Sequence, residues 1–132
     1  MSFRWFGVLA IAAVLSAGAS VRAHHSFAAE FDIEKPLTLK GVVTKVEWVN
    51  PHVYLSMDVK DQGGKTTTWS LSTLGPAGVR RAGITKATLG TGESVTILAY
   101  HAKDSSNLAF LRKITFADGH TVEIWLGDAN AQ

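Results

Sequence analysis

The stretch VYLSMDVKDQGGKTTTWSLS, residues 53–72, decides the fold of this chain. Apolar residues stand at every second position of its first part, and this period of two predicts a strand with one solvated face. The sequence Asp61-Gln62-Gly63-Gly64 is typical of a hairpin turn. Residues 65–72 are rich in Thr and predict the returning strand.

The pattern continues on both sides of this hairpin. Leu37 to Val49 predicts a long first strand, in which Gly41 indicates a bulge or tight bend, and Asn50-Pro51 ends it with turn chemistry. Downstream, Gly75-Pro76 opens a short helix that Gly83 would end. Three further strands are predicted, at residues 94–100, 108–116 and 121–126.

The predicted order is three strands, one short helix, then two or three strands. This is the order of an OB-fold, a small barrel in which the helix after strand three closes one end. We therefore predict an all-β, OB-fold-like barrel domain of five to six strands over residues 37–132. The alternative is another small barrel or an open sandwich.

The N-terminus has the layout of a secretory signal peptide over residues 1–23. Trp5 to Ala19 is an uncharged, mostly apolar run, shorter than the roughly 20 residues of a membrane span. Small residues at 21 and 23 predict a cut after Ala23, and hence a periplasmic protein with no membrane span after cleavage. The alternative is an uncleaved anchor. Residues 24–36, which end at Pro36, are interpreted as an N-terminal arm with one helical turn.

Charge and cysteine content exclude several classes of function. The chain of 132 residues has 13 basic and 11 acidic residues; losing Arg4 and Arg22 with the signal peptide leaves 11 of each. A mature protein without net charge gives no support to nucleic-acid binding. The absence of Cys excludes disulfides, a thiol nucleophile and a lipid-modified N-terminal Cys.

Three segments resemble a family of small secreted proteobacterial proteins of unknown function. They are His24-His25-Ser26-Phe27 with Phe31-Asp32, the segment Val46 to Val53 that contains WVNPH, and Gly90 to Asp104. The resemblance implies a periplasmic location and an OB-like barrel, and it implies no activity. The chain departs from the family pattern at Leu71 to Ala82, where a longer and more basic helix is expected.

The histidines at the predicted mature N-terminus carry the clearest chemistry. A cut after Ala23 gives His24 a free α-amine beside its imidazole, and the two can chelate one metal ion. One further imidazole completes a histidine brace, and nitrogen ligands of this kind suit copper. His52 is predicted as that ligand because the Asn50-Pro51 turn could aim it, and His25 is a second candidate.

Each of these residues also has an ordinary structural interpretation. His24 and His25 can be solvated arm residues, and His52 can cap its turn through a ring nitrogen. His101 is expected to face water, and His120 follows a hairpin turn, so both are weaker candidates. The acidic group Glu30, Asp32 and Glu34 either orients a histidine or forms a solvated face.

Three functions compete on this sequence. The first is a copper-binding or copper-handling protein that uses His24, His25 and His52. The second is a metal-free module that binds a small ligand or an envelope protein on its barrel face. The third, an enzyme, has little support because no triad or phosphate-binding motif is present. Four aromatic residues could stack bases, but we expect at least two of them in the core: Trp48, Tyr54, Trp69 and Tyr100.

Overall fold

A computed structural model describes residues 26–124 of the chain. It contains two short helices and six strands, in the following order: α1 Ser26–Glu30, β1 Phe31–Trp48, β2 Val53–Lys60, β3 Thr66–Ser72, α2 Pro76–Arg81, β4 Ser94–Ala102, β5 Leu108–Phe116 and β6 Thr121–Glu123. Neither helix is long and apolar enough to cross a membrane, among the residues that the structure describes.

The six strands form one sheet that closes on itself. Neighbouring strands follow the order β3-β2-β1-β4-β5-β6, and β3 also pairs with β5 in parallel. Five strands, β1 to β5, therefore form a ring, and β6 lies outside it, paired with β5. In chain order, α2 comes after β3 and before β4. This connectivity confirms the predicted OB-fold-like barrel.

Strand β1 serves both halves of the barrel, and Gly41 is the place where it changes partner. Gly41 pairs with Val59 of β2 and with Val95 of β4. A Cβ atom at Gly41 would lie 2.1 Å from the carbonyl oxygen of Asp58, so only glycine allows this close approach. The bulge itself falls slightly later than predicted, between Val43 and Lys45.

The turn and helix signals are confirmed. The backbone N–H of Asp61 donates to the Lys65 carbonyl at 2.9 Å, which closes the β2–β3 hairpin, and Gly64 has a φ of 83°. The sequence predicts the short helix over Ala77 to Ala82; helix α2 spans Pro76–Arg81, and Gly83 follows it with a φ of 101°. Both glycines take a backbone conformation that other residues rarely adopt.

The start of β1 differs from the prediction. The strand begins at Phe31, inside the segment interpreted as an arm, and α1 supplies the single helical turn. Phe31 and Asp32 pair with Ala102 and His101, and an irregularity up to Pro36 lets the chain pass the proline. This pairing partner is some 70 residues away in sequence, so no local pattern reveals it.

The core fills the inside of the ring. Every ring strand supplies buried apolar side chains to it, together with α2 and the segment that follows β6. A second, smaller cluster lies on the outer wall and is formed by Phe31, Ala102 and Phe110. We call this second group the outer cluster.

Candidate functional site around His52

His52 stands in the tight connection between β1 and β2. The Asn50–Pro51 peptide bond is cis, and β2 begins immediately afterwards at Val53. The connection packs on Gly75, where an added Cβ would lie 2.8 Å from the Pro51 carbonyl oxygen. His52 is therefore attached to a segment that is closely fitted to the chain before α2.

One hydrogen bond orients the His52 ring. Nδ1 lies 2.7 Å from the backbone carbonyl oxygen of Thr73. A carbonyl oxygen only accepts, so Nδ1 carries the proton and donates it. In the neutral ring the lone pair then belongs to Nε2, which has no hydrogen-bond partner within residues 26–124. A backbone carbonyl that holds one ring nitrogen in this way is the usual partner of a metal-binding histidine.

The carbonyl that holds the ring belongs to a rigid segment. Thr73 is 3% exposed, and its backbone N–H donates to the Val53 carbonyl at 3.1 Å. The Val53 N–H in turn donates to the Leu74 carbonyl at 2.9 Å. The Thr73 hydroxyl is buried and has no hydrogen-bond partner among the described residues. His52 is thus fixed at both its backbone and its ring.

Helix α1, at the start of the described residues, packs on the outer cluster through Phe27. The ring of Phe27 in α1 lies 5.0 Å from Phe110 and 5.5 Å from Phe31, measured between ring centroids. It also meets Tyr100 edge-on at 6.3 Å. Aromatic pairs at such distances stabilise each other beyond the apolar area that they bury. Phe27 therefore docks α1 against the outer cluster.

The β-sheet links this docking point to the His52 region. Phe110 of β5 pairs with Ser72 of β3, and Ser72 pairs with Tyr54 of β2, two residues after His52. Two strand spacings separate the Cα atoms of Tyr54 and Phe110, which is about 10 Å. His52 and Tyr54 also contact each other, with ring centroids 6.2 Å apart.

The other two predicted ligands, His24 and His25, lie outside the described residues. Within residues 26–124, no group of three or more His, Asp or Glu side chains could hold a metal ion. Of the predicted ligand set, the structure therefore describes His52 alone.

His101, expected to face water, is half-buried on β4 and remains partly open to solvent. It shares its parity along β4 with Ile97 and Ala99, and its ring lies 5.4 Å from Trp69. Its Nε2 donates to the Ser106 carbonyl at 2.8 Å, and so the residue shapes the loop between β4 and β5. The expectation that His101 faces water did not take into account that residues 97, 99 and 101 point to the same side of β4.

The remaining polar candidates have local partners. His120 contacts the Asp118 carboxylate through Nδ1 and stacks on Phe116 at the β5–β6 hairpin. Hydrogen bonds from His120 lower the pKa of Asp118 below its ordinary value. Asp32 accepts the backbone N–H of Glu34 at 3.0 Å and lies near Lys35. These contacts agree with a structural interpretation of the residues.

The aromatic residues do not form one stacking surface. Trp48 and Trp69 pack against the main core, as expected, and Tyr100 packs against the outer cluster under Phe27. Tyr54 has the most exposed side chain of the four, at 36%. A stacking platform for bases would need these rings side by side on one face.

Sequence reasoning missed one residue that binds helix α1, Lys103. Its ammonium group donates to the Ala28 carbonyl of α1, and its backbone N–H donates to the Glu30 carbonyl at 2.8 Å. The contact between Lys103 and Ala28 spans 75 residues, so no local sequence pattern could reveal it. The one hint was that Lys103 lies in the segment Gly90 to Asp104, which carries part of the family resemblance.

Comparison with known families now places the chain. A family of unknown function, DUF6152, matches residues 12–110. The chain belongs to this family. Membership agrees with the expectation of a family without assigned activity, and it adds no substrate or compartment. No curated protein matches the sequence.

Among solved structures, the DUF6152 chain is similar to the mitochondrial single-stranded DNA-binding protein Rim1 of S. cerevisiae. The identity is 10%, the match covers 65% of this chain and 97% of Rim1, and the TM-score is 0.48. The assignment of the barrel depends on this chain's own strand order and pairing.

Proposed function

We propose that this protein binds copper in the periplasm, through the α-amine and imidazole of His24 and the Nε2 atom of His52, with His25 as an additional ligand. The proposal requires signal cleavage after Ala23, because only then is the amine of His24 free. The role is metal handling or delivery. A metal-free binding module is the competing function.

The single observation that carries the proposal is the hydrogen bond between His52 Nδ1 and the Thr73 carbonyl. It leaves the Nε2 lone pair for a ligand and holds the ring in one orientation. Capping the turn uses only Nδ1 of His52, and binding a metal uses only Nε2. The two roles are therefore compatible.

The position of α1 supports the proposal independently. Phe27 is docked on the outer cluster, two strands away from the strand that follows His52. His24 precedes Phe27 by three residues, which span at most about 10 Å when extended. This reach is of the same order as the separation of about 10 Å between the Cα atoms of Tyr54 and Phe110, which is consistent with a site shared by residue 24 and His52.

The chemistry of the ligand set favours copper over other divalent ions. An amine and two imidazoles supply three nitrogen donors, and Cu²⁺ binds such donors most tightly in the divalent series. Three protein ligands leave coordination positions open, which suits transfer of the ion to another site.

The test is a copper titration of protein matured by the cell. The full chain is exported, collected from the periplasm and freed of a C-terminal tag, and mass spectrometry identifies its first residue. We expect His24 at the N-terminus, one tightly bound Cu²⁺ and an electron paramagnetic resonance spectrum with three nitrogen donors.

Three variants separate the possibilities. One Ala inserted between Ala23 and His24, or His52→Ala, should weaken copper binding more than tenfold, since loss of an outer-shell partner alone costs about 10–100-fold. His120→Ala, on the distant hairpin, is the matched control and should bind as the wild type. If the extended protein binds equally well, the amine is no ligand and the metal-free module becomes the better hypothesis.

A further inference from the structure

The outer face of the barrel is concave where β1 changes partner at Gly41. Two pockets of about 500 Å³ and about 390 Å³ lie side by side there, and Lys40, Gly41 and Val42 line both of them. The larger pocket extends over β4 and β5, and the smaller one extends over β2 and the start of β3. Small-molecule sites have volumes of this order. We call the two pockets together the outer groove.

Two lysines on neighbouring strands meet in the outer groove. Gly41 of β1 pairs with Val59 of β2 in an antiparallel ladder, so Lys40 and Lys60 occupy the next opposite positions of the two strands. Both side chains are exposed, and both line the smaller pocket. Residues directly opposite each other in such a ladder have Cβ atoms about 5 Å apart. The two ammonium groups can therefore contact one bound group together.

The fold does not neutralise this pair of charges. Neither ammonium group has an ion-pair or hydrogen-bond partner within residues 26–124, whereas Lys45 pairs with Glu47 at 2.9 Å. Among the described residues, Asp58 is the one acidic residue that lines the groove, and its carboxylate accepts the Thr68 hydroxyl at 2.7 Å. Like charges directly opposite each other destabilise a sheet. An anion from outside the chain would remove this repulsion.

Hydroxyl groups continue the lysine pair on both sides. Lys60 pairs with Thr66 of β3, and Lys40 pairs with Thr96 of β4, which pairs in turn with Thr115 of β5. Except for Thr66, each of these residues follows an apolar residue that packs in the main core, so its side chain points outward. Hydroxyl groups both donate and accept hydrogen bonds. The groove therefore presents two cations flanked by hydroxyls that suit a polyhydroxylated ligand.

We propose that the outer groove binds a soluble small molecule that carries a phosphate monoester and several hydroxyl groups. Lys40 and Lys60 hold the phosphate, and the flanking threonine hydroxyls hold the remainder of the molecule. A phosphate monoester has nearly two negative charges at pH 7, which matches two ammonium groups. Val42, 41% exposed where the two pockets join, adds an apolar contact.

This site is separate from the proposed copper site. His52 immediately precedes β2, whereas Lys60 is the last residue of that strand. The phosphate site includes no histidine and needs no metal ion. Its test therefore succeeds or fails independently of copper binding.

The experiment is an NMR titration of the isotope-labelled mature protein with glucose 6-phosphate, and glucose is the uncharged control. Lys40→Met and Lys60→Met each remove one cation, and Asp58→Asn removes the neighbouring negative charge but can still accept the Thr68 hydroxyl. Lys86→Met, at an exposed position outside the groove, controls for the change in net charge. Phosphatidylcholine vesicles that contain phosphatidic acid test whether a lipid phosphate is the ligand instead.

We expect saturable shifts at the amides of Lys40, Lys60 and Thr96 with glucose 6-phosphate, and none with glucose. Lys40→Met and Lys60→Met should each weaken binding about tenfold, which corresponds to one charge-assisted hydrogen bond. Asp58→Asn should strengthen binding about twofold because it removes a repulsion from the phosphate. Lys86→Met should bind as the wild type.

Four results would overturn the inference. They are no saturable binding of glucose 6-phosphate, equal shifts with glucose, an unchanged affinity in both groove lysine variants, and an equal loss in Lys86→Met. The last result would mean that net charge alone attracts the phosphate. Binding to the vesicles without binding of glucose 6-phosphate would also contradict it, because the ligand would then be a lipid.

Discussion

The two apolar clusters of this barrel are buried by different parts of the chain. The main core lies inside the closed ring, and all five ring strands contribute to it. The outer cluster, Phe31, Ala102 and Phe110, lies on the opposite face of the same strands. The ring closure buries the first cluster, whereas α1, with Phe27, covers the second.

This difference shows what the N-terminal arm does. On β5, Ala109 and Leu111 point into the barrel, so Phe110 between them points outward, where an alternating strand normally carries a polar residue. A buried outward Phe needs a cover, and α1 provides it. The described part of the arm, residues 26–36, therefore belongs to the folded domain.

The largest expected effect lies in the main core. Leu55 is 1% exposed, so Leu55→Ala removes contacts that the closed ring cannot recover. We expect a loss of about 2–5 kcal/mol in the free energy of unfolding, measured by urea denaturation. Val42→Ala, on β1 but 41% exposed, is the matched control and should stay within about 0.5 kcal/mol.

A smaller and more local effect is expected at the outer cluster. Phe27 is only half-buried, so Phe27→Ala should lower the free energy of unfolding by about 1–2 kcal/mol. Hydrogen exchange should become faster at the Lys103 amide, which donates to Glu30, but stay unchanged at the Val43 amide, which donates to Glu93. Equal acceleration at both amides would mean that arm and ring open as one unit.

The His52 ring should matter less to stability than either cluster. His52→Ala removes one hydrogen bond to the Thr73 carbonyl, for which we expect a loss of about 1 kcal/mol in the free energy of unfolding. Thermal unfolding of the metal-free variant measures it. A loss of several kcal/mol would make His52 a structural residue and would contradict the assignment of the site.

The smallest expected effect is the contribution of Asp104 to stability at acidic pH. Hydrogen bonds from the Ser106 hydroxyl and N–H lower the pKa of Asp104 from 3.8. A lowered carboxyl pKa stabilises the fold above the unfolded value, and this contribution is lost as the pH falls through the folded value. We expect a carboxyl NMR titration midpoint below 3.8, with loop residues 103–107 responding and the main core unaffected. A midpoint at or above 3.8 would show that the Ser106 bonds do not form in solution.

Local signals in the sequence were sufficient for the barrel itself. Alternation from Val53 to Val59, the glycine turn after Asp61 and Pro76 each act over a few residues, and each was predicted near its observed place. Their order alone indicated the OB-fold, because few topologies accommodate a helix between strands three and four.

Tertiary structure alone decided the surroundings of the candidate site. The Nδ1 partner of His52 is 21 residues away, and the Ala28 carbonyl that binds Lys103 is 75 residues away. Such contacts join residues that only the closed ring makes neighbours, and no periodicity of a single strand encodes them. The sequence by itself therefore determined which elements form, while the closed ring determined which side chains meet on its wall.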